Sequence, residues 1–147
     1  MLLTMMTYGF VDLNLVLNAV IAVALGALIG LEREHREDKK MVIAGVRTFP
    51  MTSLAGVIFA FLSEHLGYSI IDVGLIIFGG FALLLAYLKY EVHTIGITTP
   101  VAFFLTFLIG LMVQQGFLAE SAFLTVFITF LLLTKERLHK IARNIGG

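Results

Sequence analysis

The sequence predicts an all-α, polytopic membrane protein that folds as a bundle of five transmembrane helices. Of its 147 residues, 59% are hydrophobic and 14% are charged, whereas a soluble domain is about 45–50% apolar and about 25% charged. The apolar residues form continuous runs close to the roughly 20 residues that a helix needs to cross a bilayer. A membrane β-barrel would instead alternate apolar and polar residues over segments of about ten residues.

Five apolar runs are typical of membrane-spanning helices. They cover residues 12–31, 45–63, 68–87, 96–113 and 117–134. Residues 1–134 are therefore expected to form one transmembrane domain, and residues 135–147 a basic cytoplasmic tail. Residues 1–11 contain no lysine or arginine, so we expect no cleavable signal peptide, which would begin with a positively charged stretch.

All ten lysine and arginine residues fall on one side of the predicted bundle. Five lie in the loop after the first helix, one lies after the third helix, and four lie in the tail after the fifth. Loops rich in lysine and arginine are retained in the cytoplasm. We therefore expect the N-terminus outside the cell and the C-terminus in the cytoplasm.

Four of the five predicted helices carry a row of small and polar residues at every fourth position. Membrane helices associate through small residues that let their backbones approach and through hydroxyl and amide hydrogen bonds. We therefore expect these rows to face other helices. The rows are Asn14, Asn18, Ala22, Gly26 and Gly30 in the first helix; Thr48, Thr52, Gly56 and Ala60 in the second; Thr98, Ala102, Thr106, Gly110 and Gln114 in the fourth; and Ser121, Thr125 and Thr129 in the fifth.

Several polar residues near the outer side leave two interpretations open. Asn14 and Asn18 could hold helices together or line a polar crevice, since amides are costly in lipid unless they are paired or hydrated. Asp12, Asp72 and Glu120 each lie near the start of a predicted helix. Each carboxylate could cap its helix or belong to a permeation route.

Two similar segments open the second and fourth predicted helices. Gly45-Val46-Arg47-Thr48 and Gly96-Ile97-Thr98-Thr99 both follow a loop on the cationic side, and each is followed closely by a proline. The pattern is compatible with a parallel duplication of a helix pair, related by an axis along the membrane normal. It is also short enough to arise by chance.

Charged residues concentrate where the first helix ends and the second begins. Glu32 and Arg47 should lie at the same depth, because a short loop joins two antiparallel helices, and we expect an ion pair between them. The positive N-terminal ends of the second and fourth helices, together with Arg47, favour an anion. Glu32, Glu34 and Glu91 instead offer the oxygen ligands that suit magnesium. The sequence does not choose between the two.

Neither an enzyme nor a nucleic-acid-binding protein is indicated. Ten basic residues balance ten acidic ones, so the broad positive charge that attracts nucleic acids is lacking. The chain has no cysteine, and its four histidines are scattered without the spacing of a metal site. The sequence contains no phosphate-binding loop and no nucleophile elbow. We therefore expect no enzymatic activity and no resident cofactor.

The charged segment resembles the signature of a known family. Residues 26–34 read GALIGLERE, and residues 44–48 read AGVRT; this order resembles the signature of the MgtC/SapB family of bacterial and archaeal inner-membrane proteins. Residues 96–99 are similar to the family's second Gly-x-x-Thr segment, and the resemblance covers roughly residues 18–116. The resemblance implies a multi-pass protein of the plasma (inner) membrane of a bacterium or archaeon.

The resemblance also bears on function and on which residues to test. The family is named for magnesium transport, although members have also been described as regulators that bind other membrane proteins, including ATP synthase. The motif points first to Glu32, Arg33, Arg47 and Thr48. Pro100 stands where some relatives carry a small or polar residue, so ligand contacts of that segment do not carry over directly.

These features together predict a membrane protein that transports a small ion, with magnesium or another divalent cation as the expected substrate. Five short helices barely enclose a pathway, so transport would need a homodimer or higher oligomer, with the Gly26 and Gly30 row as one candidate contact. The alternative is a non-transporting regulator that binds another membrane protein. The candidate ion-binding residues are Glu32, Arg33, Arg47, Thr48, Thr98, Thr99, Asn14, Asn18 and Asp72, with Glu32 and Glu34 as candidate metal ligands.

Overall fold

The structure, a computed structural model, describes residues 11–36, 44–67, 69–91 and 97–146. These residues form five helices and no strand, as the sequence predicts. The first three helices are long and apolar enough to cross a membrane, and the apolar parts of the last two are shorter. The molecule is an all-α membrane bundle. Its helices are α1 (Leu13–Arg36), α2 (Thr48–Leu66), α3 (Ile70–Glu91), α4 (Thr98–Gln114) and α5 (Leu118–Ile145).

All five helices end beyond the apolar runs that predict them, and the first and last do so by the most residues. The first helix ends at Arg36 and the last at Ile145, so charged residues extend both helices beyond their apolar parts. The basic tail is thus a helical continuation of α5 as far as Ile145. The predicted starts at Tyr68 and Gly96 lie outside the described residues.

Helices α2 and α4 form the centre of the bundle and touch through their backbones. A Cβ atom added to Gly110 would lie 1.9 Å from the carbonyl oxygen of Ser53, and one added to Gly56 would lie 2.3 Å from that of Phe107. The two helices run in the same direction, because Phe49 meets Phe103 near their starts and Gln114 meets Glu64 near their ends. Only glycine permits this approach.

Helix α1 packs antiparallel against α2 through its own glycine row. A Cβ atom on Gly26 would lie 2.7 Å from the carbonyl oxygen of Phe49, and one on Gly30 would lie 3.0 Å from the Cα atom of Val46. This row therefore faces α2 of the same chain. The prediction that Gly26 and Gly30 contact a second copy is wrong, because their open faces are already filled.

Helix α3 packs against α2 and α4 through aromatic rings. Phe78 stacks on Phe107 of α4 with a centroid distance of 4.2 Å, and it meets Phe59 of α2 edge to face at 6.1 Å. Only 6% of the most apolar stretch of α3 is buried, so most of this helix faces outward. Helix α5 packs on the other side of the bundle, against α1 and α4.

The rows of small residues face the interior, as predicted. Ala22, Ala60, Thr106 and Thr125 are each fully buried. The hydroxyls, however, bond within their own helices: Thr106 donates to the carbonyl of Ala102 at 2.7 Å, and Thr125 donates to that of Ser121 at 2.8 Å. Along these rows the helices are therefore held by close contact, while the hydroxyls are satisfied locally.

Candidate functional site

The buried charges of the described residues gather at one end of the bundle. Helices α1 and α3 end there and α2 and α4 begin there, because α1 runs antiparallel to α2; we call this the charged end. Among the described residues, the buried charged side chains are Glu32, Arg33 and Lys89, each 7% exposed. Ionisable side chains buried within a membrane bundle are costly and usually mark a functional site.

Glu32 and Arg33 form an ion pair at the end of α1. The Nε atom of Arg33 donates to Oε2 of Glu32 at 2.7 Å, and the two side chains are 9% and 4% exposed. A charge-assisted hydrogen bond of this length is among the stronger polar contacts in proteins. Burial removes water from both groups, so each charge depends on its protein partners.

Lys89 links the end of α3 to the start of α4. Its Nζ atom donates to Oγ1 of Thr99 at 2.8 Å, and Thr99 is 1% exposed. Lys89 is the single cation expected from the sequence in the loop after the third helix, where no role in a site is predicted for it. Its position two residues after the apolar run 68–87 is the signal that could have placed it in the last turn of a helix.

The two groups lie at the same depth in the bundle. Asn18 of α1 donates to Gln114 of α4 at 3.1 Å near the opposite end. Arg33 lies 15 residues after Asn18, and Thr99 lies 15 residues before Gln114. Both therefore lie about 22 Å along their antiparallel helices from that hydrogen bond. This register brings the Glu32–Arg33 pair level with Lys89 and Thr99.

The prediction of an ion pair between Glu32 and Arg47 is wrong, since the partner of Glu32 is Arg33. Arg47 is exposed and precedes the first residue of α2, whereas Glu32 is paired with Arg33. The link between α1 and the start of α2 comes instead from Glu34, whose Oε2 atom accepts the backbone N–H of Val46 at 2.9 Å. An acidic side chain suits that position because the N–H groups at a helix start carry partial positive charge.

The carboxylates predicted as magnesium ligands are engaged separately. Glu32 accepts from Arg33, Glu34 accepts from Val46, and Glu91 accepts from the hydroxyl of Tyr87 at 2.9 Å. In the part of the chain that the structure describes, no group of three or more histidine, aspartate or glutamate side chains could hold a metal ion. Among the described residues, each of these three carboxylates thus accepts from a different donor.

At the end opposite the charged end, amides join three helices. Asn18 donates to Gln114, and the side-chain amide of Gln114 donates to Oε2 of Glu64 at 3.4 Å. This chain of contacts ties α1, α4 and α2 together, which favours the packing interpretation for Asn18. Asn14 is exposed, and its backbone N–H donates to Asp12 at 3.0 Å.

The acidic residues at this end occupy helix starts. Asp12 accepts backbone N–H groups at the start of α1. Asp72 is exposed in the first turn of α3 and accepts from the hydroxyl of Ser69, and Glu120 is exposed in the first turn of α5. The capping interpretation therefore accounts for Asp12, and a helix-start position accounts for the other two.

The remaining candidate residues lie at the starts of α2 and α4. Thr48 is half-buried, and its carbonyl accepts the hydroxyl of Thr52 at 2.8 Å. Thr98 is half-buried and lines a cavity of about 240 Å³ between α4 and α5. Apolar side chains such as Val101 and Leu132 form most of the wall of this cavity, so it suits an apolar group rather than an ion.

Comparison with known proteins gives one match. A model described as the MgtC family matches residues 19–141, a range that contains the whole charged end. No curated protein and no solved structure matches the chain.

Proposed function

The chain belongs to the MgtC family, and on that premise we propose that it takes part in moving a small ion across the membrane, with the charged end as its ion-handling site. One observation carries the proposal: Lys89 is buried against Thr99 at the depth of the buried Glu32–Arg33 pair. If these residues only stabilised the fold, apolar residues would do so at a lower cost in free energy, since burying an ion pair requires removing water from both charges.

The electrostatics of this end suit an ion that exchanges partners with the protein. The buried side chains of the described residues carry one negative and two positive charges. The N-terminal ends of α2 and α4 add partial positive charge there. A cation that approached Glu32 would compete with Arg33 for the carboxylate, whereas an anion would meet Lys89 and the helix starts.

Magnesium is the first ion to test. The resemblance to the MgtC/SapB family suggests it, and the carboxylates of Glu32 and Glu34 are the nearest candidate ligands. Each accepts a hydrogen bond at Oε2 in the structure, so a magnesium ion at this end would either bind the other carboxylate oxygen or displace that donor. Monovalent cations and small anions therefore belong in the same experiment.

Transport also places a demand on the assembly. The backbone contact between α2 and α4 leaves no room for an ion at the centre of one chain. An ion would have to pass where helices separate or along a boundary between copies. We therefore propose that the working unit is a homodimer or a higher oligomer.

We further propose that the charged end faces the cytoplasm, in the plasma membrane of a bacterium or archaeon. The distribution of lysine and arginine supports this orientation. The chain contains no cysteine, so a single cysteine at Arg143 would report the location of α5. It should react with a membrane-impermeant thiol reagent only in opened cells, and reaction in intact cells would reverse the orientation.

The direct test is ion flux through purified protein in liposomes. We expect uptake of at least one of magnesium, a monovalent cation or a small anion above the level of empty vesicles. An Arg143→Gln variant should match the wild type, because that side chain is exposed on the last turns of α5 and outside the buried group. Flux no greater than in empty vesicles for every ion would contradict the proposal.

A non-transporting regulator is the second candidate, and the exposed surface of α3 favours it. Only 6% of its most apolar stretch is buried, which leaves a surface for a helix of another membrane protein such as ATP synthase. Isolation in mild detergent from cells with and without the protein would test this. The regulator would be supported by a complex that persists in the Lys89→Met variant but is lost when exposed residues of α3 are changed. The wild-type protein should then show no ion flux in liposomes.

A further inference from the structure

A regular row of five apolar residues and one threonine runs along the outward side of α5 and continues past its membrane-spanning part. The members follow one another at alternating steps of four and three residues. Such steps average 3.5 residues, the repeat that keeps one side of a helix against a partner helix in a coiled coil. We name this row the α5 seam. It consists of Phe127, Leu131, Thr134, Leu138, Ile141 and Ile145.

The α5 seam faces away from the bundle. Its apolar members are exposed by fractions that range from 48% at Phe127 to 80% at Ile145. The opposite side of α5 is buried, with Ser121 and Thr125 fully enclosed and Leu132 7% exposed. The packing of α5 inside the bundle is therefore complete without the seam, which is left for another occupant.

Lipid does not account for the far part of the seam. The apolar stretch of α5 ends at Thr134, yet the helix is continuous to Ile145. At about 1.5 Å per residue, Ile145 lies about 16 Å beyond Thr134. The headgroup layer extends only about 5–8 Å beyond the hydrocarbon on each side. Even with a tilt of about 40°, the largest common for membrane helices, Ile145 would lie about 13 Å beyond the hydrocarbon.

We propose that the α5 seam is a homodimer contact, in which α5 of one copy and α5 of a second copy form a parallel coiled coil. Membrane insertion gives both copies the same direction and depth, so their seams meet in register. A pair related by a twofold axis buries the same row on each chain. The coiled coil begins within the membrane and continues into the aqueous compartment at the charged end, where it covers Ile141 and Ile145.

The absence of cysteine makes cross-linking a direct test. Single-cysteine variants Leu138→Cys, Ile141→Cys and Ile145→Cys place thiols on the seam, and Arg143→Cys places one on the opposite side of the same exposed turns. Oxidation in native membranes should link the seam variants into dimers. Roughly tenfold less dimer is expected for Arg143→Cys, because thiols whose Cα atoms lie more than about 7 Å apart cannot form a disulfide.

Three results would overturn the proposal: equal yields at the seam and at Arg143→Cys, no dimer at any seam position, or a linked product whose mass includes another protein.

A second variant keeps the test independent of thiol chemistry. Leu138→Glu with Ile141→Glu should keep the helical circular dichroism of the wild type but lose the dimer in light scattering, since both residues lie outside the bundle. A double variant that stays dimeric would also contradict it. Neither measurement depends on ion transport.

Discussion

Replacement of Gly110 by leucine is expected to prevent α2 and α4 from packing. The new Cβ atom would lie 1.9 Å from the carbonyl oxygen of Ser53 and 3.0 Å from the Cα atom of Gly56. These are backbone atoms, so no side-chain rotation relieves the overlap. Overpacking typically costs about 1–3 kcal/mol and sometimes more, and we expect a loss of at least about 3 kcal/mol here. Unfolding in a titration with SDS, followed by circular dichroism, measures the loss.

Gly80→Leu is the matched control for this substitution. Gly80 lies within α3, and a Cβ atom there would meet nothing within 4 Å. The same leucine should therefore leave the SDS concentration of half-unfolding unchanged. If Gly110→Leu also unfolded at the wild-type concentration, the backbone contact between α2 and α4 would be excluded.

Replacement of Arg33 by methionine is expected to have the second-largest effect on stability. It removes the guanidinium that donates to Glu32 at 2.7 Å and leaves that carboxylate in a site where its side chain is 4% exposed. Loss of one partner from a buried ion pair costs about 3–5 kcal/mol. We expect a loss of about 3 kcal/mol in the same unfolding titration.

A double-mutant cycle separates the Glu32–Arg33 pair from the predicted Glu32–Arg47 pair. The double variant Glu32→Gln with Arg33→Met should lose less stability than the sum of the losses of the two single variants. The difference, which is the coupling free energy, should be at least about 0.5 kcal/mol. Arg47→Met should cost less than about 0.5 kcal/mol, as most exposed substitutions do, and should add to Glu32→Gln. Strong coupling between Glu32 and Arg47 would restore the pair expected from the sequence.

The sequence predicts the architecture well because the bilayer imposes it. A helix must cross about 30 Å of hydrocarbon with its backbone hydrogen bonds satisfied, so the apolar runs locate the helices without knowledge of their contacts. The rows of small residues likewise indicate the buried sides, as Gly56 and Gly110 show. Helix ends are less well defined, because charged residues such as Arg36 continue a helix into the headgroup region.

The sequence does not determine which helix or side chain a given residue contacts. The glycine row of α1 is equally suited to a second copy or to a neighbour in the same chain, and only the structure shows Gly26 against Phe49. The same applies to charge pairs. Glu32 could reach Arg33 or Arg47 from its position in the sequence, and the choice depends on the direction of its side chain after α1 and α2 have packed.

Lys89 is the clearest case of a site residue that sequence reasoning overlooked. It is one cation among ten, and a lysine near the end of an apolar run is ordinarily explained by a side chain that extends to the membrane surface. Its burial depends on Thr99, which is ten residues away. That contact exists only because α3 and α4 pack antiparallel at this end.

The measurement that tests the central claim most directly compares Lys89→Met and Lys89→Arg with the wild type, in both SDS unfolding and liposome flux. Lys89→Met removes the hydrogen bond from the ammonium group to Thr99, a contact worth about 1.5–3 kcal/mol when one partner is charged, whereas Lys89→Arg keeps a charged donor. We therefore expect both variants to stay folded, with Lys89→Met the less stable of the two in SDS. We also expect Lys89→Met to lose at least roughly tenfold in flux, equivalent to about 1.4 kcal/mol, while Lys89→Arg retains most of it. A Lys89→Met protein that is stable and moves ions at the wild-type rate would contradict the assignment of the charged end as the ion-handling site.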